Sequence, residues 1–130
     1  MLIRLTAEQI QEIHDNELEI SGIGIPGTKD PGYLDLLAYK PFTELFGEEM
    51  YPGLFFKAAV LMRGLIKGHV FNDCNKRTAL ITTMTFLDLN GYELDADPDE
   101  LFEVTIAIAE DRIYEEALSD YLERNCIPTY

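Results

Sequence analysis

Three features of the sequence predict an all-α protein folded as a compact helical bundle. Apolar residues recur at helical spacing along most of the chain. Two stretches in its middle are apolar on nearly every face, as buried central helices are. No run alternates apolar with polar residues in the manner of a half-buried strand, and no internal repeat is present. The 130 residues amount to one domain, spanning 1–130, long enough to bury roughly two thirds of the surface the unfolded chain exposes.

Each element has its own local justification. Thr6-Ala7-Glu8-Gln9 is a capping box ahead of Ile10, Ile13 and Leu18, and predicts a first helix from about Ala7 to Ile20. Ser21 to Gly32 holds four glycines and two prolines in twelve residues, which predicts a mobile loop or flap. Gly22 and Gly27 have the spacing that opens a phosphate-binding P-loop, but Thr28-Lys29 follows in the wrong order and no apolar strand precedes. Short helical pieces are expected between Tyr33 and Met50, broken at Pro41. Tyr51 to Lys67 reads as the first central helix, stopped by Gly68. Lys76 to Leu89 reads as the second; its four threonines raise a strand as the competitor, but its length and the Asn90-Gly91 stop favour helix. Asp97-Pro98-Asp99-Glu100 caps a helix through about Ala109, and Ile113 to Leu122 marks a last one ending near Asn125.

Charge narrows the function. The formal charge of −14 argues against a general nucleic-acid binder, which needs a broad basic face, and against docking on anionic membrane. Two cysteines without a signal peptide, and no window near the roughly 18 apolar residues of a spanning helix, predict a soluble protein of the reducing cytoplasm. Within this anionic chain lies a cationic island. Arg63, Lys67, Lys76 and Arg77 face a single acid, Asp73, whereas the remaining six basic residues face 23 acidic ones. A local positive field in a repelling global one suggests a site for a phosphorylated ligand.

The island contains the run His69-Val70-Phe71-Asn72-Asp73-Cys74-Asn75-Lys76-Arg77, which joins the two central helices. A helix N-terminus offers unpaired amides and a positive dipole end to phosphate. Asn72, Asp73 or Asn75 can cap it. Lys76 and Arg77 in its first turn oppose the dipole by a few tenths to about 1 kcal/mol, a conflict that bound phosphates would relieve. His69 can act as general base near neutral pH. Asp73 is a hard-oxygen ligand suited to Mg²⁺, and Asn75, Lys76 and Arg77 suit phosphates. Together these groups describe a phosphoryl- or nucleotidyl-transfer site. Phe71 is read as pinning the loop to the core and Cys74 as a small filler. His14, on a helix beside acidic neighbours, is read as solvated; Lys29 and Tyr33 in the flap are read as touching water.

The run and its continuation Thr78-Ala79-Leu80 resemble the signature loop of the Fic/Doc superfamily, in its Doc (death-on-curing) branch. Gly24-Ile25-Pro26-Gly27 through Asp30-Pro31-Gly32 is similar to that branch's flap, and Phe86 to Gly91 to its helix end. The resemblance implies a Fic fold with the motif loop, 69–77, between two central helices and a flap over about 21–32. AMP-transferring Fic enzymes have glycine where this chain has Lys76 and arginine where it has Leu80, and both departures fit the Doc branch. That branch implies a toxin of a toxin–antitoxin pair that phosphorylates a threonine of elongation factor Tu with ATP and Mg²⁺ and is neutralised by a Phd-type antitoxin. Transfer of AMP and a non-catalytic binding module are the alternatives. By position, the resemblance assigns the base to His69, metal or phosphate support to Asp73, and phosphate binding to Asn75, Lys76 and Arg77. Lys67 stands where the Doc branch has an arginine, keeping the charge without the bidentate fork.

Overall fold

The computed structural model describes residues 1–129. Six α-helices carry the fold: α1 (Ala7–Ser21), α2 (Pro31–Tyr39), α3 (Leu54–Gly68), α4 (Asn75–Leu89), α5 (Pro98–Ala109) and α6 (Glu115–Arg124). α3 is the hub. α4, α6, α5 and α2 all pack on it, while α1 lies against α4. The centre is filled by Ala58, Ala59, Met62, Leu65 and Ile66 of α3, Ala79, Phe86 and Leu87 of α4, and Leu118 and Leu122 of α6, all buried. Each large side chain among them contributes about 1.5–3 kcal/mol relative to exposure. The all-α expectation holds, and both central helices lie where the periodicity puts them.

Local chemistry explains the helix ends. The Thr6 hydroxyl accepts from Gln9 N while the Gln9 side chain accepts from Thr6 N, the reciprocal pair of a capping box. Asp97 accepts from the amides of Asp99 and Glu100, with Pro98 in the first turn. The threonines of α4 do not turn it into a strand. Thr83 and Thr85 donate back to the carbonyls of Ala79 and Ile81, four residues earlier, within the helical pattern.

Three expectations need correction. The Gly/Pro-rich segment is shorter than 21–32, because Asp30 caps α2 by accepting from Tyr33 N and Pro31 begins it. The αL residue closing α3 is His69 (φ 50°), not Gly68, which is the last helical residue. Four short strands also form where none is predicted: β1 (Glu44–Leu45) with β2 (Glu48–Glu49), and β3 (Tyr92–Leu94) with β4 (Cys126–Pro128), both antiparallel. Elements of two or three residues are too short to show a period. β3 pairs Leu94 with Cys126 and so ties the chain end to the far end of α4. The β1–β2 hairpin rests on Lys57, which is buried and donates to Tyr51 O (2.6 Å) while pairing with Glu49 (2.9 Å).

Candidate active site at the α3–α4 loop

Six residues, 69–74, connect the central helices, and a left-handed residue stands at each end: His69 (φ 50°) and Cys74 (φ 70°). Non-glycine residues pay for this backbone region and persist in it where the surroundings hold them, often at functional sites. The surroundings are explicit. The Asn75 side chain clasps the Phe71 backbone, accepting from Phe71 N and donating to Phe71 O, both at 3.1 Å. Phe71 is buried and stacks on the His14 ring, centroids 3.9 Å apart and planes 8° from parallel. His14 Nε2 donates to Asp73 O at 3.0 Å.

The reading of Phe71 as a pin is therefore right, and the reading of His14 as solvated is wrong. Its ring is fully buried. The signal was present: His14 lies four residues from buried Ile10, on the face of α1 that meets the core.

Cys74 occupies the N-cap of α4 with no side-chain cap bond, and the first intrahelical bond is Thr78 N to Cys74 O. The amides of Asn75, Lys76 and Arg77 consequently have no partner among the described residues, leaving a cluster of donors at the positive end of the helix dipole. Burial pushes the Cys74 thiol above its ordinary range, so it stays protonated at neutral pH and fits the filler role. Both cysteines are free.

These donors open into a cavity of about 640 Å³. Its polar side is formed by His69, Asn72, Asp73, Asn75, Lys76 and Arg77, its apolar side by Ile66 with Phe102, Ile106 and Ala109 of α3 and α5. Five of the six site residues read from the sequence thus share one cavity. The sixth, Lys67, does not line it; its ammonium is held by Ala109 O (3.0 Å) and Asp111 (3.1 Å). His69 is exposed at the cavity edge, and neither ring nitrogen has a partner among the described residues. Lys76 is exposed as well, whereas Arg77 bonds Ile23 O (3.0 Å) and approaches Glu17 of α1 (3.4 Å).

Asp73 turns its carboxylate toward two amides, Cys74 N at 2.8 Å and Ile25 N at 3.1 Å. These bonds, Cys74 first, hold its carboxyl below the ordinary range; partial desolvation opposes them and the Arg77 charge assists. The group stays ionised at neutral pH, and its oxygens have lone pairs to spare. No cluster of three or more His, Cys, Asp or Glu that could hold a metal exists among the described residues. Asp73 is the one carboxylate among the residues lining the cavity, and Mg²⁺ can be held by one or two carboxylates.

The segment before α2 is fastened to this loop. Lys29 N and Asp30 N donate to Val70 O (2.7 and 3.0 Å), Asn72 N donates to Gly27 O, and the Asn72 amide donates to Pro26 O (both 3.0 Å). Thr28 and Phe71 form an antiparallel bridge, and the Thr28 hydroxyl donates to Gln11 of α1. Approach this close needs glycine. A Cβ on Gly27 (φ 111°) would sit 2.6 Å from the Asn72 amide nitrogen, and one on Gly24 (φ 130°) 2.5 Å from the Leu18 side chain. Among the described residues no helix is long and apolar enough to cross a membrane.

Comparison with known proteins agrees with this geometry. The chain is 32% identical over 120 residues to "Protein kinase doc" of Escherichia phage P1, covering 92% of this chain and 93% of that protein. It is 42% identical over 71 residues to "Toxin Doc" of Mycolicibacterium smegmatis, covering 55% of each. The Fic/DOC family matches residues 4–87, a span that takes in α1, the flap, α3, the whole loop after it and α4 as far as Leu87. By that match and by its helical architecture, the chain belongs to the Fic/DOC family.

Proposed function

We propose that this protein is a Doc-like toxin of a toxin–antitoxin pair. In this reading it is a protein kinase that transfers the γ-phosphoryl group of ATP to a threonine or serine hydroxyl of a target such as elongation factor Tu, blocking translation. A Phd-type antitoxin would be its cognate partner. The observation that carries the reading is the convergence, in one cavity, of three unpaired amides, the Lys76 and Arg77 cations and the free imidazole of His69. The name of the phage relative, "Protein kinase doc", supports phosphoryl transfer. So does Lys76, whose bulk and charge stand where AMP-transferring relatives have glycine.

The chemistry follows from these groups. The α4 amides with Lys76 and Arg77 hold the triphosphate and balance its charge. A neutral His69 takes the proton of the acceptor hydroxyl; the acceptor oxygen bonds the γ-phosphorus as the bond from that phosphorus to the β,γ-bridging oxygen breaks, and ADP leaves. Mg²⁺ accompanying the nucleotide would neutralise phosphate charge beside Asp73. Asn75 shapes the loop through Phe71 and offers its main-chain amide. Lys67 supports the site at one remove, by fixing the end of α5.

The test is transfer of label from γ- or α-labelled ATP to elongation factor Tu, with His69→Ala as control and intact mass as the second readout. Label from the γ position and a gain of one phosphate are expected. Label only from the α position and a gain of AMP would install the AMP-transferase alternative. No transfer, with growth arrest equal in native protein and His69→Ala, would leave a binding module.

A further inference from the structure

We propose that the nucleotide site does not discriminate between adenine and guanine, and that Phe102 is the platform on which either base stacks. The inference rests on the nucleotide-binding reading above and concerns its selectivity between the two purine nucleoside triphosphates.

The cavity has two unlike sides. The phosphate-directed groups all belong to the loop and the first turn of α4; the apolar lining comes from Ile66 of α3 and from Phe102, Ile106 and Ala109 of α5. Phe102 and Ile106 are four residues apart on α5 and so share one face. Phe102 is 57% exposed, a large cost for an aromatic that has nothing to cover it, and it presents a flat apolar surface beside a cluster of phosphate donors. A nucleotide has matching parts: a charged polyphosphate and a flat, weakly hydrated base.

Telling the two purines apart requires polar groups. Adenine presents an exocyclic amine that needs an acceptor beside a ring nitrogen that needs a donor, and guanine presents the reverse pair. No side chain on the apolar wall has a polar atom. The carbonyls at the end of α5 each already hold one donor. Ile106 O accepts from Glu110 N (2.9 Å), Ala107 O from Arg112 N (2.8 Å) and Ile108 O from Asp111 N (3.1 Å). Ala109 O accepts from Lys67 Nζ (3.0 Å). What the apolar residues of α3 and α5 offer a base is stacking, and every base has a π-face.

Calorimetric titration of the full chain with ATP, GTP and inorganic tripolyphosphate, each with magnesium, tests this. The Kd values for ATP and GTP should agree within about ten-fold, and both should be at least about five-fold tighter than tripolyphosphate, the lower end of what stacking of one base contributes. Phe102→Ala should weaken ATP and GTP together by about 5- to 150-fold toward the tripolyphosphate value, leaving tripolyphosphate itself unchanged, and Phe102→Trp should preserve both. Because Phe102 lies at the surface, the variants should keep the native melting temperature. Preference for one purine by more than about ten-fold, tripolyphosphate binding as tightly as ATP, or a Phe102→Ala effect smaller than about five-fold on either nucleotide would each overturn the proposal. If none of the three ligands binds, the nucleotide reading of the site fails with it, a result distinct from tight but base-selective binding.

Discussion

Replacing His14 with phenylalanine removes the bond that ties α1 to the loop, together with a contact from Nδ1 to the exposed Asp15 carboxylate at 3.1 Å. The ring and its stack on Phe71 are retained, but Asp73 O loses the Nε2 donor now 3.0 Å away. A carbonyl left without its partner in a partly buried setting costs about 1–2 kcal/mol. For a chain of this length that lowers the melting temperature by about 3–10 °C. His14→Ala removes the stack as well and opens a void in the core; by analogy with truncating a buried aromatic it should cost about 3–5 kcal/mol, a large part of the roughly 5–15 kcal/mol typical of a domain. The catalytic effect follows from position. Asp73 belongs to the loop that joins His69 to the start of α4, and a shift of order 1 Å in such a frame costs about a hundred-fold in rate. His14→Phe should therefore slow transfer of the γ-phosphoryl group by about ten- to a hundred-fold, while circular dichroism reports the modest loss of stability. A variant with native melting temperature and native transfer rate would refute the argument that His14 positions the loop.

Four further outcomes are expected. His69→Gly should remove at least about a hundred-fold of the transfer rate through loss of the base, yet raise stability by about 1 kcal/mol through relief of the left-handed backbone, so that melting and activity move in opposite directions; a parallel fall in both would refute the strain. Asp73, whose carboxyl lies below its ordinary range, contributes to folding above the unfolded value of about 3.9 and loses that contribution as pH falls through its lower folded value. The Ile25 and Cys74 amide resonances should accordingly titrate with a midpoint below about 3.9, and Asp73→Asn should abolish that titration; a midpoint at or above the ordinary value speaks against the two bonds. Gly27→Ala should loosen the flap and speed hydrogen exchange at Asn72 and Lys29, whereas Gly32→Ala, with no neighbour closer than 3.9 Å, should not. Lys67→Met should lower the melting temperature and leave tripolyphosphate affinity within about two-fold, because the ammonium is engaged by Asp111 and Ala109; a loss of ten-fold or more, roughly 1.4 kcal/mol, would show direct phosphate binding.

Much of the helical frame could be read from the chain because its signals are local. Thr6 and Asp97 cap their helices through residues two or three positions away, and the all-round apolar pattern of α3 needs no partner to be recognised. The grouping of His69, Asp73, Asn75, Lys76 and Arg77 was legible for the same reason, since one short loop carries them all. What escaped depends on distant partners. His14 is buried because Phe71, 57 positions later, supplies its stacking face. β3 finds β4 across 31 intervening residues, and strands this short carry no pattern of their own. The start of α2 was hidden differently. Asp30-Pro31 is the same cap that Asp97-Pro98 makes, but the surrounding glycines pointed to irregular backbone. The apolar wall from α5 went unseen because Phe102 and Ile106 face the loop only after the bundle closes.

Lys57 gives the opposite end of α3 a distinctive property. An ammonium enclosed by Tyr51 O, Glu49 and the Phe42 ring has no water to fall back on. Were the β1–β2 hairpin to peel away, the chain would have either to drag that charge outward through packed helix or to leave it stranded, and an unmatched buried charge costs several kcal/mol, of the order of 3–5. The hairpin and the root of α3 should accordingly come undone together or not at all, making this corner an all-or-nothing fastening in an otherwise ordinary bundle.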